Sequence, residues 1–299
     1  MRSLLIGADG QVGHELLGRL PRLGEVVATT RTGRLADGRA CEALDLQDPD
    51  ALRATVSGAR AQIVWNAAAY TTVDRAESER EVAFAVNATA PGVLAEACTR
   101  LGIPLVHFST DYVFPGTGVR PLSEDDPVGP ASVYGASKLA GEEAVRTAGG
   151  PHKIFRLCWV YGSRGTNFLL TMLRLAAGKD ELRVVSDQFG CPTPAAWIAE
   201  AVIGAVVKQP GLSGTWHVAS SGRTSWHGFA EAVVSDAFEC GLIARRPVVA
   251  PISTADYPTS ARRPRMSVLD CSKLAREFGI RLPDWRSGVA AVVSDLRLS

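Results

Sequence analysis

The sequence predicts an α/β fold: a doubly wound parallel sheet followed by a smaller C-terminal α/β domain. Three observations predict it. Short apolar runs alternate with longer helical patterns over the first half. A glycine-spaced turn, Gly7-Ala8-Asp9-Gly10-Gln11-Val12-Gly13, falls between the first apolar run and the first helical pattern. A Tyr134-Gly-Ala-Ser-Lys138 segment opens a later helical stretch, with two chemically active side chains on one helix face.

Residues 3–6, 25–29, 62–65 and 104–108 read as strands. Residues 12–20, 50–56 and 82–101 read as the helices between them. Continuous apolar strands alternating with helices indicate a parallel sheet covered on both faces. Asp48-Pro49 supplies an N-cap followed by a proline at the first helical position. After about residue 150 the pattern loosens. Residues 154–160 and 182–185 read as strands, and 168–177, 195–207 and 225–238 as helices. Residues 247–266, rich in proline and arginine, read as an ordered loop over a site. The expected division is 1–155, carrying the glycine turn and the Tyr/Lys pair, and 156–299, mainly binding substrate, with segments returning to the first part.

Composition narrows the function. The chain has 299 residues, 46% of them apolar, and a net charge of +1 from 32 basic and 31 acidic side chains. No broad basic face is implied, so nucleic acid is not the expected partner. The wholly apolar runs are too short to span a bilayer, and the start lacks the pattern of a signal peptide. No membrane partner and a cytoplasmic location are therefore expected. The six cysteines form no Cys-x-x-Cys pair, which suits reduced structural thiols. The five histidines show no metal-ligand spacing, and no metal is expected; His107 sits in an apolar run as a core residue.

The glycine turn suits a dinucleotide in a Rossmann-like fold. Gly7 permits the tight turn, Gly10 the approach of a pyrophosphate, and Gly13 close helix–strand packing. Gln11 and Val12 open the helix whose N–H groups would face the phosphates. An ordinary turn is the competing reading. The second strand ends in Thr29-Thr30-Arg31-Thr32-Gly33-Arg34, with no carboxylate for a ribose 2′-hydroxyl. Arg31 and Arg34 suit a 2′-phosphate instead, favouring NADPH, with NADH as the alternative. Asp45 and Leu46 are candidates for the adenine. Residues 66–71, Asn-Ala-Ala-Ala-Tyr-Thr, end a strand with Ala69, Tyr70 and Thr71 beside the expected cofactor.

Tyr134 is the candidate proton donor and Lys138 its partner. A nearby ammonium would lower the tyrosine's pKa, and the lysine would also hold the nicotinamide ribose. Ser109 or Thr110 at the preceding strand end would polarise a substrate carbonyl. A surface Tyr/Lys pair is the competing reading; the upstream dinucleotide turn argues against it.

Together these residues resemble the extended short-chain dehydrogenases and, more narrowly, the dTDP-4-dehydrorhamnose reductase family. The resemblance spans nearly the whole chain. It includes residues 109–118, Ser-Thr-Asp-Tyr-Val-Phe-Pro-Gly-Thr-Gly; 133–142, Val-Tyr-Gly-Ala-Ser-Lys-Leu-Ala-Gly-Glu; 187–193, Asp-Gln-Phe-Gly-Cys-Pro-Thr; and 257–264, Tyr-Pro-Thr-Ser-Ala-Arg-Arg-Pro. It implies reduction of the C4 ketone of a dTDP-linked deoxysugar by NADPH. It also implies catalytic Tyr134, Lys138 and Thr110, with Trp159 packing on the sugar and Thr110 and Asp111 bordering it. Asn167 lies in a further matching motif and is a substrate-site candidate. Arg262 or Arg263, by position and chemistry, would pair with the diphosphate. Some relatives form magnesium-linked dimers through glutamates. Glu15 matches one such position, but Ala196 and Asp295 stand at the others. A monomer or a metal-independent dimer is therefore expected. Two further readings remain: a related 4-ketohexose reductase of secondary metabolism, such as one in dihydrostreptose synthesis, and a non-catalytic NADP-binding regulatory subunit.

Overall fold

In the computed structural model, which describes residues 1–298, seven strands make one parallel sheet. They are β1 (Ser3–Ile6), β2 (Val26–Thr30), β3 (Glu42–Ala43), β4 (Ile63–Asn66), β5 (Leu105–Thr110), β6 (His152–Leu157) and a seventh strand, Gly214–Val218. Across the sheet the order is β3-β2-β1-β4-β5-β6 and then 214–218. The chain steps outward from β1 to β3, then returns to pair β4 with β1, Ile6 beside Asn66. That reversal opens a crevice at the carboxyl ends of β1 and β4, where such folds bind ligands.

Neighbouring residues on one strand feed opposite cores because side chains alternate across a strand. Leu5, Trp65, Val106 and Phe155 join one core with Leu16 of α1 (Gln11–Arg19). Leu4, Val64, Leu105 and Ile154 join the other, with Leu52 of α2 (Pro49–Gly58). Asp48 caps α2 as expected, accepting from the Asp50 and Ala51 amides at 3.0 Å each. α3 (Val73–Ala76) follows β4.

The helix expected over 82–101 is continuous but not uniform. It runs as α4 (Arg80–Phe84), a π turn (Ala85–Thr89) and α5 (Ala90–Leu101). By length and composition Arg80–Leu101 could cross a membrane, but half of its most apolar window is buried in the protein. It is a core helix here, packed beside α6 (Val133–Thr147). The π turn is a local bulge of a kind that gathers at functional sites, and it turns Asn87 toward the catalytic region.

The second half adds small paired strands. β7 (Val160–Tyr161) pairs with β10 (Thr193–Pro194), β9 (Phe189–Gly190) with β12 (Thr224–Ser225), and β8 (Glu181–Val185) with β13 (Val248–Ile252). β13 corrects the expectation of a loop throughout 247–266. Its residues, Val248-Val249-Ala250-Pro251-Ile252, are an apolar run broken by Pro251 and preceded by Pro247, and proline demotes a strand signal. α7 (Phe168–Gly178), α9 (Trp226–Glu239) and α11 (Trp285–Leu298) enclose a third core around Leu169, Phe229 and Val289. β11, the seventh sheet strand, pairs with β6. α8 (Ala195–Lys208) and α10 (Ser272–Phe278) join the first-half core through Ile198, Val202, Leu274 and Phe278.

Candidate active site

The glycine turn has the shape its spacing predicts. Gly7 has φ +81°, and a Cβ there would fall 2.6 Å from the Ala68 amide nitrogen. A Cβ at Gly13 would fall 1.9 Å from the Gly7 carbonyl oxygen. Gly10 caps α1 with no side-chain bond, leaving the first N–H groups, those of Gln11, Val12 and Gly13, free for an anion. A bare helix start beside a cradle that side chains would fill fits a dinucleotide phosphate. Val12 is half-buried against the first core.

Arg31 and Arg34 follow β2. Thr30 organises this turn: its hydroxyl accepts from the Arg34 amide at 3.1 Å and donates to the Arg34 carbonyl at 3.0 Å. Both arginines are exposed, and neither has a carboxylate partner among the described residues. Asp45 uses its carboxylate in its own turn, accepting from the Gln47 amide at 2.9 Å. Leu46 packs against the second core.

Ala69, Tyr70 and Thr71 lie in the loop after β4. Asn87 clamps the Tyr70 backbone from both sides, accepting from its N–H and donating to its carbonyl, each at 2.9 Å. Asn87 also donates to Ser137 Oγ on α6 at 3.0 Å. The sequence reading missed Asn87; its signal is a polar residue inside an otherwise apolar helical run.

Thr110 ends β5, and Tyr134 and Lys138 lie on the first turns of α6. The Thr110 hydroxyl donates to Asp111 Oδ1 at 2.9 Å and accepts from the Tyr112 amide at 3.2 Å. Tyr134 reaches Thr110 and packs edge-on to Tyr112, with centroids 5.7 Å apart. Burial pushes the Tyr134 hydroxyl up to about 12, against the opposing contact with Thr110. Lys138 is 2% exposed and donates to the Phe108 carbonyl at 2.6 Å. Burial lowers its pKa to about 8, with Glu142 pulling the other way. The expected lowering of the Tyr134 pKa by Lys138 is therefore absent: desolvation sets the tyrosine, and the ammonium is turned to a carbonyl. Burial also raises Asp111 to about 6, opposed by hydrogen bonds from Ser267, Thr110 and Cys158.

Beneath Lys138, Glu142 is wholly buried and pairs with Arg156 through two bonds of 2.9 and 2.8 Å. Neither was singled out from the sequence, although Glu142 stands one helical turn beyond Lys138. His107 is a core residue as expected, contacting Asn66 at 3.2 Å, and burial holds its pKa well below the usual range.

The expected substrate residues separate. Trp159 lies with its ring stacked on Trp226, centroids 3.5 Å apart. Asn167 caps α7 and donates to Gln11 Oε1 at 3.1 Å, joining the glycine turn to the second half. Arg263 is committed to Asp74 through bonds of 3.2 and 2.8 Å, whereas Arg262 is exposed. Of the two arginines, Arg262 is the more exposed and Arg263 the one paired with a carboxylate.

Comparisons agree with this geometry. A family model described as the RmlD substrate binding domain matches residues 1–298. The chain is 46% identical over 305 residues to a dTDP-4-dehydrorhamnose reductase of Burkholderia thailandensis, covering 99% of each. It is 40% identical over 299 residues to that of Escherichia coli, covering 99% of this chain and 98% of the relative. Its fold superposes on the crystal structure of a Bacillus anthracis dTDP-4-dehydrorhamnose reductase in complex with NADP. There the TM-score is 0.89 at 32% identity, covering 98% of this chain and 99% of that one. The glycine turn, the Thr110–Tyr134–Lys138 set and full-length similarity agree: this chain belongs to the RmlD family of dTDP-4-dehydrorhamnose reductases.

Proposed function

We propose that this protein reduces the C4 ketone of dTDP-4-dehydro-L-rhamnose to dTDP-L-rhamnose. The observation that carries the reading is the Thr110–Tyr134–Lys138 set, with Thr110 and Lys138 buried and Tyr134 half-buried, beside an uncapped glycine turn. When bound, NADPH supplies the hydride. Tyr134 keeps its proton at neutral pH because burial holds its pKa high, and it gives that proton to the ketone oxygen. Thr110, whose hydroxyl donates to Asp111 in this structure, turns that proton to the same oxygen and polarises the carbonyl. Lys138, charged below about 8 and held on the Phe108 carbonyl, keeps a positive charge one helical turn from the tyrosine as that residue loses its proton. Asp111 and Trp159 border the sugar, and Arg262 meets the diphosphate.

Gly7, Gly10, Gln11, Val12 and Gly13 hold the pyrophosphate, and Arg31 and Arg34 the 2′-phosphate. Residues 1–155 carry the cofactor and the proton donor. Residues 156–299 mainly carry the substrate, with β11, α8 and α10 returning to the first part. The protein acts in the cytoplasm as a monomer or metal-independent dimer. Arg19 supports metal independence, since it pairs with the Glu15 carboxylate and reaches Glu200 at 3.1 Å. The test is NADPH consumption with dTDP-4-dehydro-L-rhamnose, with the product identified. No consumption, or a product other than dTDP-L-rhamnose, overturns the assignment.

A further inference from the structure

Trp159 departs from ordinary strand geometry. Its φ is +44°, and Arg60 is the only other non-glycine residue with positive φ among the described residues. For a bulky side chain this conformation is costly and persists only where the surroundings impose it. Such strain gathers at functional sites. Trp159 directly follows Cys158, whose thiol contacts Asp111 Oδ2 at 3.5 Å, so it stands beside the catalytic cluster.

The surroundings that impose it are identifiable. Trp226, the first residue of α9, stacks on the Trp159 indole with centroids 3.5 Å apart and planes 8° from parallel. Aromatic pairs prefer offset or edge-on packing, so full overlap has to be held. Trp226 is held by three neighbours. Its Nε1–H donates to Gln188 Oε1 at 3.2 Å, and buried Gln188 donates in turn to Thr254 Oγ1 at 3.1 Å. Phe168 and Phe229 pack against it at 4.7 and 6.4 Å.

Gly190 closes the other side. A Cβ there would fall 2.4, 2.7 and 2.8 Å from Trp159 Cε2, Nε1 and Cδ2. Cδ2 is a ring-fusion carbon, so an atom nearly as close to it as to the rim lies over the ring face. Trp226 already covers one face, so Gly190 lies on the opposite one. The indole is a sandwich filling and can offer a ligand only its rim.

We propose that Trp226 is a positioning residue that holds the Trp159 rim against the sugar beside Asp111 and Tyr134. Sugar selection then depends on a residue that does not itself touch the sugar. This deepens, and rests on, the nucleotide-sugar reductase reading.

The experiment has a spectroscopic and a kinetic arm. Stacked indoles couple their electronic transitions, so the wild-type far-ultraviolet circular dichroism should carry an exciton couplet. Trp226→Phe and Trp159→Phe should each abolish it. Trp226→Leu should raise KM for the nucleotide sugar about tenfold, the scale of one lost aromatic pair, with NADPH affinity retained. Gly190→Ala, which drives a methyl into the opposite ring face, should reproduce that KM change. Trp226→Phe, which keeps an aromatic ring, should recover most of the wild-type KM. If Trp226→Leu does not fold, Gly190→Ala carries the kinetic arm. A wild-type spectrum without the couplet overturns the proposal, as does an unchanged KM in folded Trp226→Leu or Gly190→Ala protein. Wild-type protein that shows the couplet but does not turn over dTDP-4-dehydro-L-rhamnose overturns the reductase reading instead.

Discussion

Arg263 grips Asp74 with both terminal nitrogens, while the Ala261 amide donates to the same carboxylate at 3.1 Å. Asp74 lies on α3, just after the Tyr70 loop, and Arg263 arrives from the far end of the chain. The pair therefore fastens residues 257–264 across the first half. Burial pushes the Asp74 carboxyl up, but the Arg263 guanidinium and the Ala261 amide together hold it below its usual range. Asp74→Asn should free this segment at a stability cost of about 1 kcal/mol or less, since both side chains are partly exposed. Trypsin should then cut after Arg262 faster than in the wild type. Equal cleavage rates would show that the pair does not fasten the segment.

Tyr134→Phe keeps the ring and its packing on Tyr112 but removes the proton. It should lower kcat by about 10²–10⁴-fold, the range for a general acid, with cofactor affinity nearly unchanged. Lys138→Met should impair both turnover and cofactor binding. A folded, cofactor-binding Tyr134→Phe protein with near wild-type turnover would remove Tyr134 from the mechanism.

The pH profile of kcat/KM should be bell-shaped, with limbs near 6 and 8. Below about 6, Asp111 takes up a proton and loses the charge it carries beside Thr110 and the sugar, so activity falls with falling pH. Above about 8, Lys138 loses its charge, so activity falls with rising pH. Tyr134, near 12, keeps its proton throughout. Asp111→Asn should flatten the acid limb, and Lys138→Arg should move the basic limb upward. A basic limb unmoved by Lys138→Arg assigns it to another group.

Glu142→Ala should be strongly destabilising. It leaves Arg156, whose side chain is 4% exposed, as an unpaired buried charge. The expected loss is about 3–5 kcal/mol, read by urea denaturation. A loss under about 1 kcal/mol would mean that water or a rearranged partner replaces the carboxylate.

Replacing Arg31 and Arg34 together by alanine should weaken NADPH binding by about 1.5–3 kcal/mol and leave NADH binding nearly unchanged, because only the 2′-phosphate is lost as a partner. Titration of both cofactors by fluorescence decides it. Equal losses would place the arginines outside the 2′-phosphate site.

The amino-acid sequence by itself determined five of the seven sheet strands, β1, β2, β4, β5 and β6, together with the glycine turn and the Tyr134–Lys138 face. Each is a local property. Side-chain alternation sorts Leu4 and Leu5 to opposite cores, Gly7 alone suits φ +81°, and four residues of spacing align Tyr134 with Lys138. β13 stayed hidden because Pro247 and Pro251 interrupt its short apolar run. Tertiary structure decided the rest. Trp226 stacks on Trp159, Asn87 reaches Tyr70 from a π turn, and Arg263 is taken by Asp74 while Arg262 stays free. Burial, not the neighbouring lysine, sets the Tyr134 pKa. Pairings between distant segments and the desolvation of a side chain depend on what folding brings around it, and no local pattern encodes that.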